Sequence, residues 1–184
     1  MAKLVSKTYG EALFEIATAK EDALRDEIMD EVCALKEIFL SNKEFTRVML
    51  HPGIAKTEKM EVLKNVLSGR VDNELAGFLF LVLDKERFSS IDEIFEYFIT
   101  KMKEYKRIGV CHVTTAVELS EIQKTKVLEK VQTTGGFERM EMHYEVDKSL
   151  IGGMRIRIGD RVVDSTIRTK LDELTKQLLQ IQLG

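Results

Sequence analysis

Through the first 105 positions, apolar residues recur at helical spacing, and the gaps between the runs carry helix start and stop signals. The spacing predicts a first helix from Leu4 to Ala19 and a second with Leu24, Ile28, Val32, Leu35 and Phe39 on one face, ending near Ser41. Ser41-Asn42-Lys43-Glu44 reads as a capping box that restarts a short third helix. His51-Pro52-Gly53 stops it, because proline disfavours helical geometry in the residue before it. A fourth helix runs from about Lys56 to Leu67 and ends at Ser68-Gly69. Asp72 starts a fifth, whose Leu75, Phe78, Leu79, Leu81, Val82 and Leu83 are apolar on almost every side, as in a helix that is central or covered by another chain. Ser90-Ile91-Asp92-Glu93 is a second capping box and opens a sixth, with Ile91, Ile94, Phe95, Phe98 and Met102 facing inward.

From Gly109 the period changes. Val110, His112 and Thr114 alternate with Cys111, Val113 and Thr115, a β-branched run that favours a strand. Ser120-Glu121-Ile122-Gln123 caps a helix carrying Ile122, Val127, Leu128 and Val131 that stops at Gly135-Gly136. Met140, Met142, Tyr144 and Val146 read as a second strand. After Asp147-Lys148-Ser149-Leu150-Ile151-Gly152-Gly153, the run Met154, Ile156, Ile158 alternates with Arg155 and Arg157. Gly159-Asp160 then suits a two-residue type II′ hairpin turn, which sets Ile156 opposite Val163 and Arg157 opposite Val162. Asp164 or Ser165 can cap a last helix carrying Ile167, Leu171, Leu174 and Leu178. The boundary between the two halves falls near Tyr105 to Ile108. The expected fold is α plus α/β: an N-terminal six-helix bundle over residues 1–105, able to fold as a separate fragment, followed by a small C-terminal α/β domain over 106–184.

At 184 residues, two small domains can each bury a core. The net charge of −3 argues against a protein held to nucleic acid mainly by phosphate contacts. The first 105 residues carry about five excess acids and the remainder about two excess bases, a mild asymmetry that solvation explains. Cys33 and Cys111 lie far apart without a metal-ligand pattern, as expected of buried thiols in a reducing compartment. Met1-Ala2-Lys3 leads straight into an amphipathic pattern, so no secretory leader is expected. The longest apolar run, Leu75 to Leu83, falls short of a spanning helix, and any membrane link is expected to go through partners.

No catalytic constellation is visible, because the three histidines fall in different elements and no nucleophile has a recognisable setting. His143 and Glu145 share a strand face, yet a metal site needs further ligands, and none is indicated. Gly152-Gly153 leads into a strand rather than a helix, which favours a tight bend or a close backbone approach over a phosphate loop. Arg155 and Arg157 on one strand face could meet RNA, but aromatic stacking partners are lacking apart from Tyr144, so acidic side chains of a partner or plain solvent fit better. No catalytic residue, cofactor or metal is expected.

The string holding Asp147, Leu150, Ile151, Gly152, Gly153, Ile156, Ile158, Gly159, Asp160, Val163, Asp164, Ser165, Ile167, Leu171 and Leu174 resembles the C-terminal signature of the delta subunit of bacterial F-type ATP synthases, whose mitochondrial counterpart is the oligomycin-sensitivity-conferring protein. Tyr9-Gly10-Glu11-Ala12-Leu13-Phe14-Glu15-Ile16-Ala17 is similar to that family's first helix, and Phe78 through Arg87 to its fifth. Gly10 departs from the family's usual alanine, and a glycine inside a helix costs about 1 kcal/mol, so a weaker first helix is expected.

The resemblance implies a non-catalytic peripheral-stalk subunit on the cytoplasmic face of the cell membrane. Its helical domain would receive the N-terminal helix of an alpha subunit between helices one and five, and its C-terminal domain would engage the C-terminal region of the b subunit. Carried onto this chain, the groove would comprise Tyr9, Ala12, Leu13, Gly77, Phe78 and Leu81, with small Ala12 and Gly77 permitting close approach. The competing reading is an RNA-binding regulator of the antitermination type, which salt-dependent RNA binding would reveal.

Overall fold

The computed structural model describes residues 2–182, with side chains described for 4–133 and 136–176. Among these residues the chain forms eight α-helices and one four-stranded mixed sheet, and it divides into two compact units, Met1–Met102 and Lys103–Gly184.

The first unit contains α1 (Ala2–Thr18), α2 (Asp22–Ser41), α3 (Lys43–Leu50), α4 (Lys56–Leu67), α5 (Asn73–Asp84) and most of α6 (Ile91–Tyr105). Their apolar stripes meet in one core, to which α1 gives Leu13 and Ala17, α2 Ile28 and Val32, α4 Leu63, α5 Leu75 and Leu79, and α6 Phe95 and Phe98. Phe39 is the aromatic centre, with Phe45, Phe88 and Phe95 at ring separations of 5.1, 5.7 and 6.0 Å. Leu24, expected on the buried face of α2, is instead exposed.

Two helix starts differ from the sequence expectation. Ser41 is the last residue of α2, and Asn42 caps α3 by accepting the Phe45 N–H at 3.0 Å. Ser90 closes a 3-10 turn, Phe88–Ser90, that runs directly into α6, so it caps nothing. Gly10 has a packing role in α1. A Cβ there would stand 2.4 Å from Cδ1 of Tyr97, so the missing methyl makes room for that ring. The Tyr97 hydroxyl then donates to Glu11 at 2.6 Å.

In the second unit, β1 (Ile108–Thr115) crosses through α7 (Glu121–Gly135) to a parallel β2 (Arg139–Val146). Then β3 (Met154–Ile158) pairs antiparallel with the other edge of β1, β4 (Arg161–Asp164) folds back on β3, and α8 (Ile167–Gln182) follows. The strand order is β2-β1-β3-β4. The Ser120–Gln123 capping box forms, and Gly136 ends α7 in the left-handed region. Cys111, Val113 and Val131 are buried in a small core flanked by Val127, Met142, Ile156 and Ile158. Cys33, in the first unit, is only half-buried.

Candidate partner-binding surfaces

Helix α5 is held at its start by a charge cluster. The Asp72 carboxylate accepts the N–H groups of Glu74 and Leu75 at 2.8 and 3.4 Å and pairs with Lys20 Nζ at 2.7 Å. The Asp72 N–H in turn donates to both carboxylate oxygens of Glu31 on α2, at 3.1 and 2.9 Å. The Lys20 hydrogen bond holds the Asp72 carboxyl below its ordinary range, whereas burial pushes Glu31 up. The cluster ties the end of α1 and the middle of α2 to the first turn of α5.

Along these two packed helices the six groove residues separate into floor and surface. Leu13 is fully buried and Phe78 nearly so, with the half-buried Tyr9 ring against Phe78 edge-on at 6.4 Å. Ala12 and Gly77 are exposed, and Leu81 keeps 49% of its surface open. A Cβ at Gly77 would meet nothing within 4 Å. So α5 buries Leu75, Phe78, Leu79, Val82 and Leu83 yet leaves the Gly77–Leu81 side uncovered.

Four of the signature residues, Gly152, Gly153, Asp164 and Ser165, gather at the β3–α8 junction. Gly153 has φ +86°, and a Cβ there would stand 2.4 Å from the Ser165 carbonyl oxygen and 2.8 Å from Thr166 Cα. Its neighbours close the contact: the Gly152 carbonyl accepts the Ile167 N–H at 3.0 Å, and the Ser165 N–H donates to the Met154 carbonyl at 2.9 Å. The cap of α8 is Thr166, whose hydroxyl oxygen accepts the Thr169 N–H at 3.3 Å, rather than Asp164 or Ser165. Asp164 instead accepts the Thr166 N–H at 2.9 Å and the Arg155 Nε–H at 3.0 Å, and the first of these keeps its carboxyl well below the usual carboxylate range.

Gly159 and Asp160 lie at the other end of β3. Gly159 has φ +55° in the turn, and the pairs Ile156–Val163 and Arg157–Val162 form as the hairpin rule requires. Asp147 belongs to neither place. It organises the turn after β2, accepting the Ser149 N–H at 2.9 Å while its own N–H donates to the Thr115 carbonyl at 2.9 Å.

A trough of about 600 Å³ opens between α7 and the β3–β4 side of the sheet, lined by Val127, Val131, Met154, Ile156, Ile158 and Val163 with Lys126 and Lys130. Ile167, Leu171 and Leu174 on α8 are also exposed. Leu178, expected on the same apolar stripe, lies outside the described side chains. His112 of β1 and His143 of β2 stack with ring centres 5.0 Å apart. Among the described residues no group of three or more His, Cys, Asp and Glu side chains is placed to hold a metal, and no helix is long and apolar enough to cross a membrane.

A family model described as "ATP synthase delta (OSCP) subunit" matches residues 5–178. The ATP synthase subunit delta of Lachnoclostridium phytofermentans is 47% identical over 184 residues, covering 100% of both chains. That of Acetivibrio thermocellus is 33% identical over 178 residues, covering 97% of this chain and 99% of the relative. Among solved structures, a chain of the Toxoplasma gondii mitochondrial ATP synthase hexamer superposes with a TM-score of 0.74 at 18% identity, over 95% of this chain and 97% of that one, which is a likeness of fold.

Proposed function

This chain belongs to the ATP synthase delta (OSCP) subunit family, non-catalytic components of the peripheral stalk of F-type ATP synthases, and we propose that it clamps the catalytic head to the stalk through two separate surfaces. In this reading residues 1–105 act as one six-helix bundle that takes the N-terminal helix of the alpha subunit. Residues 106–184 engage the C-terminal region of the b subunit, and the whole sits at the cytoplasmic face of the membrane through these partners. The observation that carries the reading is the open side of α5, where a helix that buries Leu75, Phe78, Leu79, Val82 and Leu83 leaves Gly77 and Leu81 exposed, while Ala12 is exposed on α1, against which α5 packs through Tyr9 and Phe78. An amphipathic helix laid there would cover Leu81 and come close to backbone at Gly77, the usual mode by which a groove holds a helix. The small, incompletely covered core of the second unit and its apolar trough suit a stalk helix in the same way.

The work required is mechanical. A head held by one interface of standard size, about 800 Å² per partner, can be bound with nanomolar affinity, near −12 kcal/mol, without any reacting group. Such a clamp resists co-rotation of the head while the rotor turns, and proton flow and ATP chemistry remain properties of the assembly. Titration calorimetry with a peptide of the alpha N-terminus tests the groove. Gly77→Trp projects into space that is empty in the free subunit, so it should abolish binding while circular dichroism stays unchanged. Unaltered affinity would remove the groove from the account.

A further inference from the structure

The stacked histidines occupy the polar outer face of the sheet, the side away from Cys111 and Val113. Strand pairing lines up His143 of β2, His112 of β1 and Arg157 of β3 in one row, with Val162 of β4 at its end. The adjacent row reads Glu145, Thr114, Arg155, Asp164, and Val110 and Glu141 flank the histidines on the other side. Two of the three acids on this face are already engaged: Asp164 by Arg155, and Glu141 by Lys103. Among the described residues Arg157 forms no salt bridge, and it and both histidines are exposed. Glu145, two residues from His143 on the edge strand, is among the described residues the acid of this face left to meet a protonated imidazole.

Parallel imidazoles 5.0 Å apart sit comfortably when neutral. Charging both, beside a guanidinium that never loses its proton, is opposed by like-charge repulsion unless an anion lies over the row. Anion binding and proton uptake are therefore linked, each favouring the other to the same degree. Imidazole is the side chain that changes charge near neutrality, so the stacked pair is the group on this face able to carry such a linkage.

We propose that the row His143–His112–Arg157 is a docking face for a carboxylate-bearing segment of the stalk partner, and that its occupancy is coupled to protonation of the histidine pair. Glu145 would hold the outer imidazolium, leaving His112 and Arg157 to grip the partner's acid. A protein acid fits this row better than nucleic acid, because a short line of three cationic groups matches a single carboxylate and not a continuous phosphate backbone, and the chain's net charge is −3. This rests on the assignment of the second unit to the b-subunit stalk.

The test is calorimetry of the full chain with the purified soluble part of the b subunit, at pH 6 to 8 in buffers of different ionisation enthalpy. Uptake of about one proton on binding near pH 7 is expected, with affinity falling roughly tenfold per pH unit above it. His112→Gln combined with His143→Gln should reduce the uptake to near zero and flatten the profile. Arg157→Gln should weaken binding at every pH and reduce its salt dependence. Binding with no proton uptake by the unaltered chain, or a profile that the histidine substitutions leave intact, overturns the inference while leaving the stalk assignment standing. Absence of b-subunit binding at every pH overturns both.

Discussion

Replacing Gly153 by alanine would put a methyl group 2.4 Å from the Ser165 carbonyl oxygen and 2.8 Å from Thr166 Cα, both backbone atoms that cannot swing aside as a side-chain tip can. Two costs combine. An L-residue held at φ +86° loses about 1–2 kcal/mol relative to glycine, and forcing a methyl into filled space costs about 1–3 kcal/mol more. Relief of the overlap would move 165–166 outward and strain two hydrogen bonds, Ser165 N–H to Met154 and Ile167 N–H to Gly152. The expected loss is about 2–5 kcal/mol, borne by a unit whose buried apolar core, among the described residues, is Cys111, Val113 and Val131. Hydrogen exchange resolves where it falls. Amides of β1, β3 and β4 should exchange at least roughly thirtyfold faster in Gly153→Ala, while those of α2 and α5 stay as they were. Gly77→Ala is the control, since its Cβ meets nothing and a helix-interior alanine gains about 1 kcal/mol. Protection in the sheet unchanged by Gly153→Ala would refute the close-approach account of the double glycine.

Thr166→Ala should cost about 1 kcal/mol in thermal or urea denaturation, and Ser165→Ala under about 0.5 kcal/mol; the reverse order would return the cap to Ser165. For Asp72, whose folded pKa lies below its ordinary 3.8, the stabilising share is complete above that value and is lost as pH falls through the lower folded one. Lys20→Met should therefore move acid unfolding of the first unit to higher pH, and an unshifted acid transition would show that the Lys20–Asp72 contact contributes nothing. Glu31, raised by burial, works in the opposite sense, its share of stability falling as pH rises through its folded value. Glu31→Gln, which keeps one acceptor for the Asp72 N–H, should remove that slope, as urea denaturation between pH 4 and 7 would show.

What could be read in advance was local. A two-residue turn beginning with glycine dictates its own pairing, so the Ile156–Val163 register is legible in the sequence. The surplus of apolar residues on α5 announced an uncovered side, since one helix cannot bury every face in a small core. Helix starts were less legible, because Ser41 stands beside Asn42, and Ser165 beside Thr166, with similar capping chemistry. Only the path of the chain decides which oxygen faces the open N–H groups. Long-range pairing left no trace. Lys20, Glu31 and Asp72 are separated by up to 52 residues, and His112 meets His143 only because β1 and β2 run parallel across α7.

The clamp itself is tested most directly by ATP-driven proton pumping in vesicles carrying the reconstituted synthase with either the unaltered chain or Gly77→Trp. With a groove that cannot take the alpha helix, the head should slip, so ATP hydrolysis continues while the proton gradient collapses to the level seen without this subunit. A full gradient with Gly77→Trp, at equal hydrolysis, would contradict the account.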